Sequence, residues 1–173
     1  HLHAPKGTGG LYVKEGVKCS PLILGGLEQA GYRAGNLNVP GLVALGYAAR
    51  ETLDARDLMC TEVARLRNKL EDEITKNVPD TEVFFKDSER VPHITSIGFR
   101  GIPNELMLYT LNRKGVFASI GGGSFQQIGL ILHASGIDQT FANTALNFSL
   151  SRETTEDEID RATHTRIDYK VFI

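Results

Sequence analysis

The densest chemical signal in the chain is Gly115-Val116-Phe117-Ala118-Ser119-Ile120-Gly121-Gly122-Gly123-Ser124. A short β-type run, Val116-Phe117-Ala118, leads into three consecutive glycines and then Ser124, a side chain of the nucleophile class. Glycine tolerates positive φ and lets backbone N–H groups converge on one spot with no Cβ in the way. Such a loop suits a bound anion, or a side chain carried at the tip of a mobile loop. Its plainer reading is a tight turn leaving a strand. A nucleotide-cradling P-loop is a poor match, because that loop needs a lysine beside its Ser/Thr and none stands next to Ser124.

The elements that must position this loop follow from pattern. Pro5-Lys6-Gly7-Thr8-Gly9-Gly10 is turn chemistry, and Leu11-Tyr12-Val13 reads as a short strand after it. Arg33-Ala34-Gly35-Asn36-Leu37-Asn38 reads as an exposed polar loop of the kind that carries function on a rigid scaffold. From Gly41 to about Asn77, apolar residues at Leu42, Leu45, Ala49, Leu53, Leu58, Val63, Leu66, Leu70 and Ile74 predict one long helix. Glu62 with Arg65, Arg67 with Glu71, and Glu73 with Lys76 are then ion pairs on its solvated face. Val83–Phe85, His93–Phe99 and Asn143–Leu150 are strand candidates. Pro103 opens a helix, Ile128–Ser135 is a short apolar helix ended by Gly136, and Thr154 or Thr155 caps the last one. The order βα(long)ββαβαβα predicts an α/β protein with a small, mostly antiparallel sheet packed with helices.

The 173 residues are 41% hydrophobic and 23% charged, which suits a globular chain that buries roughly 70% of its unfolded surface. A net charge of −2 favours neither nucleic acid nor an anionic membrane as partner. No apolar run reaches the ~20 residues of a spanning helix. Cys19 and Cys60 lack metal-ligand spacing; both read as small apolar residues of a reduced, cytoplasmic protein. The chain opens on His1, without an initiator methionine, so an upstream part is expected.

Four blocks, in order, resemble the C-terminal part of a cysteine desulfurase of the NifS/IscS type, within the class-V aminotransferases. They are His3–Val13, Pro21–Gly26, Arg33–Gly41 and Ser151–Asp160. The resemblance implies a pyridoxal-phosphate-dependent transferase of fold type I, usually a homodimer. Such an enzyme takes sulfur from cysteine, leaving alanine and a cysteine persulfide for iron–sulfur cluster or thio-cofactor assembly. It divides the chain into residues 1–40, the end of the cofactor domain, and 41–173, a small C-terminal domain. It also implies an N-terminal partner portion or a second copy, and a sulfur-acceptor protein.

The same resemblance assigns site positions, and this chain departs from each. Counted without gaps, the cofactor lysine falls on His1, whose imidazole cannot condense with an aldehyde to C=N. In a second alignment His1 is the family's own histidine and the lysine is missing between it and Leu2. The persulfide cysteine falls on Ser124, whose hydroxyl cannot carry an S–S bond. The phosphate-binding threonine falls on Asn36. The arginine that clamps the substrate carboxylate falls on Asn147, an amide without charge or guanidinium fork. The expectation is a desulfurase-like chain that is inactive alone and does not by itself hold pyridoxal phosphate. Its alternatives are the C-terminal half of a split active enzyme and a non-catalytic scaffold of sulfur metabolism.

Overall fold

The computed structural model describes residues 2–123 and 126–164. The chain forms two compact units, divided between Arg56 and Asp57.

The first unit is rich in loops. Leu11-Tyr12-Val13 belongs to no strand, contrary to its sequence pattern, and Leu11 and Tyr12 are 81% and 87% exposed. A strand exists through hydrogen bonds to a neighbour, and β-type composition alone does not create one. Ile23 and Arg33 make one parallel bridge, with Ala34 N donating to Ile23 O at 3.4 Å. Helix α1 (Val39–Asp54) begins where the Asn38 side chain accepts from Gly41 N at 3.2 Å, with Pro40 in its first turn. Among the described residues of this unit only Ala34 and Ala48 are buried.

The long helix read from Gly41 to Asn77 is interrupted. α1 stops at Asp54 with Ala55 as its C-cap; a single turn, α2 (Arg56–Leu58), precedes a π-helical turn, Met59–Val63, and then α3 (Ala64–Asn77). The apolar spacing holds the reason. Leu53, Leu58 and Val63 are five residues apart, a separation that matches the i→i+5 turn of a π-bulge and not the three or four of an α-helix.

The second unit is built on a three-stranded antiparallel sheet of β1 (Thr81–Val83), β2 (Ile94–Phe99) and β3 (Ala145–Ser149), in that spatial order. Ile97 is registered with both Val83 and Leu146, and Thr95 with Phe148. One face of the sheet supplies Ile97, Phe99, Leu146 and Phe148 to the main core. Against it pack Val63, Leu66, Leu70 and Ile74, Met107 and Leu111 of α4 (Asn104–Arg113), and Ile159 of α7 (Glu156–Thr163). The other face carries a second, smaller core. It joins Phe84 and Ala145 to Ile128 and Leu132 of α5 (Ile128–Ala134) and Phe141 and Ala142 of α6 (Gln139–Ala142).

The helix signals read from the sequence hold in this unit. Thr155 forms a capping box with Glu158, and Gly136 closes α5 at φ 93°. α6 has no counterpart in the sequence reading; Asp138 caps it by accepting from Phe141 N at 3.1 Å. Two surface expectations change. Cys19 and Cys60 are exposed, so neither acts as a core residue. Arg67 and Glu71 are buried, with Glu71 at 0% exposure, so that pair is not on a solvated face.

Candidate functional site

The glycine turn is anchored to the strand that bears Asn147. Ser119 N donates to Asn147 O at 2.9 Å, and Asn147 N returns a bond to Ser119 O at 2.8 Å. The pairing expected over Val116–Ala118 therefore falls on Ser119 as a single bridge. Past it the chain reverses: Gly122 N donates to Gln126 O at 3.0 Å, Gln126 N to Gly123 O at 2.7 Å and Ile128 N to Ile120 O at 2.9 Å. Gly121 is required here, since φ is 102° and a Cβ would lie 2.2 Å from the Gln126 carbonyl oxygen. The Ser119 hydroxyl accepts from Gly121 N at 3.0 Å and ties the turn to its own root.

Asn147 is half-buried at the middle of β3. Its registered partner across β2 is Ser96, whose hydroxyl donates to Asn147 Oδ1. The opposite end of the carboxamide offers N–H donors, which suit an acceptor-only group such as a carboxylate. It does so without a positive charge, so an anion there gains less than from a guanidinium.

Asn36 stands in the other unit, in the exposed loop before the Asn38 cap. Gly35 N beside it donates to Glu28 Oε2 at 3.4 Å. His1 and Ser124 lie outside the described residues. Lys6 is exposed in the opening turn, where the Thr8 hydroxyl donates to Pro5 O at 2.7 Å. Ser96 and Ser119 were missed by sequence reasoning. Strand alternation was the available signal: Ser96 shares a face with Gly98, on the side of the sheet opposite Ile97 and Phe99.

Among the described residues no cluster of histidine, cysteine, aspartate or glutamate could hold a metal ion. No helix among them is long and apolar enough to cross a membrane.

The antiparallel three-stranded sheet, its helices and the loop-rich segment before them form a fold that known proteins share. The class-V aminotransferase model matches residues 1–162. This chain belongs to the class-V aminotransferase family. Within it, the chain is 42% identical over 164 residues to a cysteine desulfurase of Nostoc sp., and 41% identical over 164 residues to the cysteine desulfurase NifS of Azotobacter vinelandii. Each match takes in 92% of this chain, but only 41% and 40% of the two relatives. A solved NifS-like protein superposes with a TM-score of 0.81 at 28% identity, over 94% of this chain and 42% of its own. The NifS-like protein of Rickettsia africae has the same fold, with a TM-score of 0.75 at 21% identity. The chain thus spans about two-fifths of the length of the relatives it matches.

Membership implies dependence on pyridoxal phosphate for the family in general. That cofactor requires a primary amine for its aldehyde and several donors for its phosphate. At the described family positions this chain offers the Asn36 amide and, in the Pro-Lys-Gly turn, an exposed Lys6.

Proposed function

We propose that this chain is a cysteine-desulfurase-like polypeptide that does not release sulfur from cysteine on its own. The observation that carries this reading is Ser124, at the position where the family resemblance puts the thiol. A persulfide needs an S–S bond, and an alkoxide is not accessible near neutral pH as a thiolate is. Asn147 supports it: without the charge and fork of the family's arginine, the carboxamide holds a substrate carboxylate by neutral hydrogen bonds alone. By the resemblance, residues 1–40 are the end of the cofactor-binding part and residues 41–173 the small C-terminal domain; the compact units divide later, between Arg56 and Asp57.

The purified chain, incubated with L-cysteine and pyridoxal phosphate, should yield neither sulfide nor alanine above the protein-free control. Cysteine-dependent sulfide release, proportional to protein and lost in Asn147→Ala, overturns the reading.

A second reading has its own support. The first unit leaves Leu11, Tyr12, Leu22, Leu24 and Leu27 at least 80% exposed, and that much exposed apolar surface suits a unit that another part of the protein covers. The chain then works as the C-terminal half of a desulfurase whose N-terminal part covers those residues. Co-expression with the N-terminal three-fifths of a NifS relative tests it: alanine formation by the pair supports a split enzyme, and an inactive pair leaves the first reading standing.

A further inference from the structure

Within the second unit a groove of about 420 Å3 lies between the last turns of α7, the end of β3 and the stretch Lys114–Phe117. Its floor is core: Leu70, Leu150 and Ile159 belong to the main cluster, and Val116 and Ala162 pack against it. On its rim Phe117 is 79% exposed, in the run that leads to Ser119 and the glycine turn. Apolar surface left open in this way is costly in water and suits a covering segment.

The chain itself supplies one. α7 closes at His164, whose N–H donates to Asp160 O at 3.0 Å while its Nδ1 lies 2.7 Å from the same oxygen. Arg161 and Ala162, just before that point, line the groove. The described residues end at His164, and Thr165-Arg166-Ile167-Asp168-Tyr169-Lys170-Val171-Phe172-Ile173 follows. Apolar residues stand at Ile167, Tyr169, Val171 and Ile173, with Asp168 and Lys170 between the first three. A period of two gives an extended chain one apolar side. Such a segment reaches about 30 Å when extended, ample for a groove that begins beside its own root. The class-V model matches residues 1–162, so this segment lies outside the stretch that model covers.

We propose that residues 165–173 dock in this groove as an extended segment of the same chain, with Ile167, Tyr169 and Val171 turned to its floor. Asp168 suits a rim that carries Lys114 and Arg161, while the rim's acid, Glu158, is engaged in the capping box with Thr155. The docked segment covers Phe117 and braces the root of the glycine turn, where Val116 N donates to Leu111 O at 3.0 Å and Ser119 N to Asn147 O at 2.9 Å.

The test uses the whole chain, labelled with 15N and 13C. Nuclear Overhauser contacts from the Tyr169 ring to the methyl groups of Val116 and Leu150 are expected, unchanged on dilution and absent between differently labelled copies in a mixed sample. Tyr169→Ser with Val171→Ser should lower the amide-exchange protection of Val116 and Ser119 by about tenfold or more, the scale of one apolar side chain returned to water. Arg166→Ser with Lys170→Ser, on the polar side, should leave both amides as they were. Both pairs of changes lie beyond α7, and unchanged signals from Leu66 and Ile97 in the main core verify that the fold is intact. Absence of any contact from Tyr169 or Val171 to the groove overturns the proposal. Contacts seen only between copies make the occupant a second chain, and overturn it as well. Unaltered protection in Tyr169→Ser with Val171→Ser removes the bracing of the turn's root. An equal loss in the polar-side pair refutes the extended, one-sided arrangement.

Discussion

Arg90 grips Glu71 with both arms of its guanidinium, Nη1 to Oε1 at 2.7 Å and Nη2 to Oε2 at 2.9 Å. Glu71 has no exposed surface, and Arg67 Nε stands 3.6 Å from the same carboxylate while its Nη1 donates to Val91 O at 3.2 Å. Burial, with the positive charge of Arg90 beside it, holds the Arg67 pKa below its ordinary value. Together the three side chains fasten the segment around residues 90–91 to α3. Removing Arg90 leaves the buried Glu71 carboxylate with Arg67, at 3.6 Å, in place of a two-pronged partner. Arg90→Ala should therefore cost about 3–5 kcal/mol in urea denaturation. Asp72→Ala, which removes the exposed 3.0 Å pair with Lys86, should cost less than about 1 kcal/mol. Equal effects of the two would show that the buried carboxylate is not held as described.

Gly98 sits under two aromatic rings. An added Cβ would approach Phe141 Cε2 to 2.5 Å and Phe84 Cζ to 2.8 Å, and those rings themselves pack with centroids 4.9 Å apart. Neither ring can withdraw without opening the second core. Gly98→Ala should lose about 1–3 kcal/mol, the usual cost of overpacking. A thermal melt within a degree of wild type would mean that the rings yield freely.

Much of this was readable from the sequence, because the second unit obeys local rules. Period-two alternation marks β2, the Thr155–Glu158 spacing marks the start of α7, and Gly136 marks the end of α5. What escaped depended on partners distant in sequence. Arg67 and Glu71 have the spacing of a surface i,i+4 pair, and only Arg90, nineteen residues past Glu71, makes their burial tolerable. The five-residue steps from Leu53 to Val63 were visible, yet they read as loose helical periodicity until the π turn gave them a meaning. Leu11–Val13 has the composition of a strand but, among the described residues, no strand beside it. At the site, Asn147 was found through family resemblance, whereas Ser96 and Ser119 become neighbours of it only through sheet register.

Acid should loosen the contact between α3 and α7. Glu156 accepts from Arg65 Nη2 at 2.8 Å and from Lys69 Nζ at 2.7 Å, and Lys69 also reaches Asp160 at 2.5 Å. The Arg65 hydrogen bond first, then that of Lys69, holds the Glu156 carboxyl down at about 2, against an ordinary 4.5. A carboxyl whose pKa is depressed on folding favours the folded state fully above its unfolded value, and that contribution fades as pH falls from about 4.5 through about 2. Carbon-detected titration of Glu156 should show its midpoint rising toward the ordinary range in Arg65→Ala. High salt should shift it the same way, since the cluster is open to solvent. A midpoint indifferent to both changes would remove this network from the acid response.

The glycine turn invites a test that separates backbone need from ligand need. Gly121 is fixed twice over, by φ at 102° and by the Gln126 carbonyl oxygen 2.2 Å from where a Cβ would be. Gly123, two residues on, has no atom within 4 Å of such a Cβ. If the turn exists to reverse the chain beside Asn147, Gly121→Ala must either strain the left-handed backbone, at about 1–3 kcal/mol, or open the bonds from Gly122 and Ile128. Both routes shorten amide-exchange protection at Ser119 and Asn147, whose mutual bonds lie at the root. Gly123→Ala should leave stability within about 1 kcal/mol and that protection intact. Equal sensitivity at the two positions would mean that Gly123 also serves something other than the reversal, which is the behaviour of a loop whose backbone N–H groups close on a ligand.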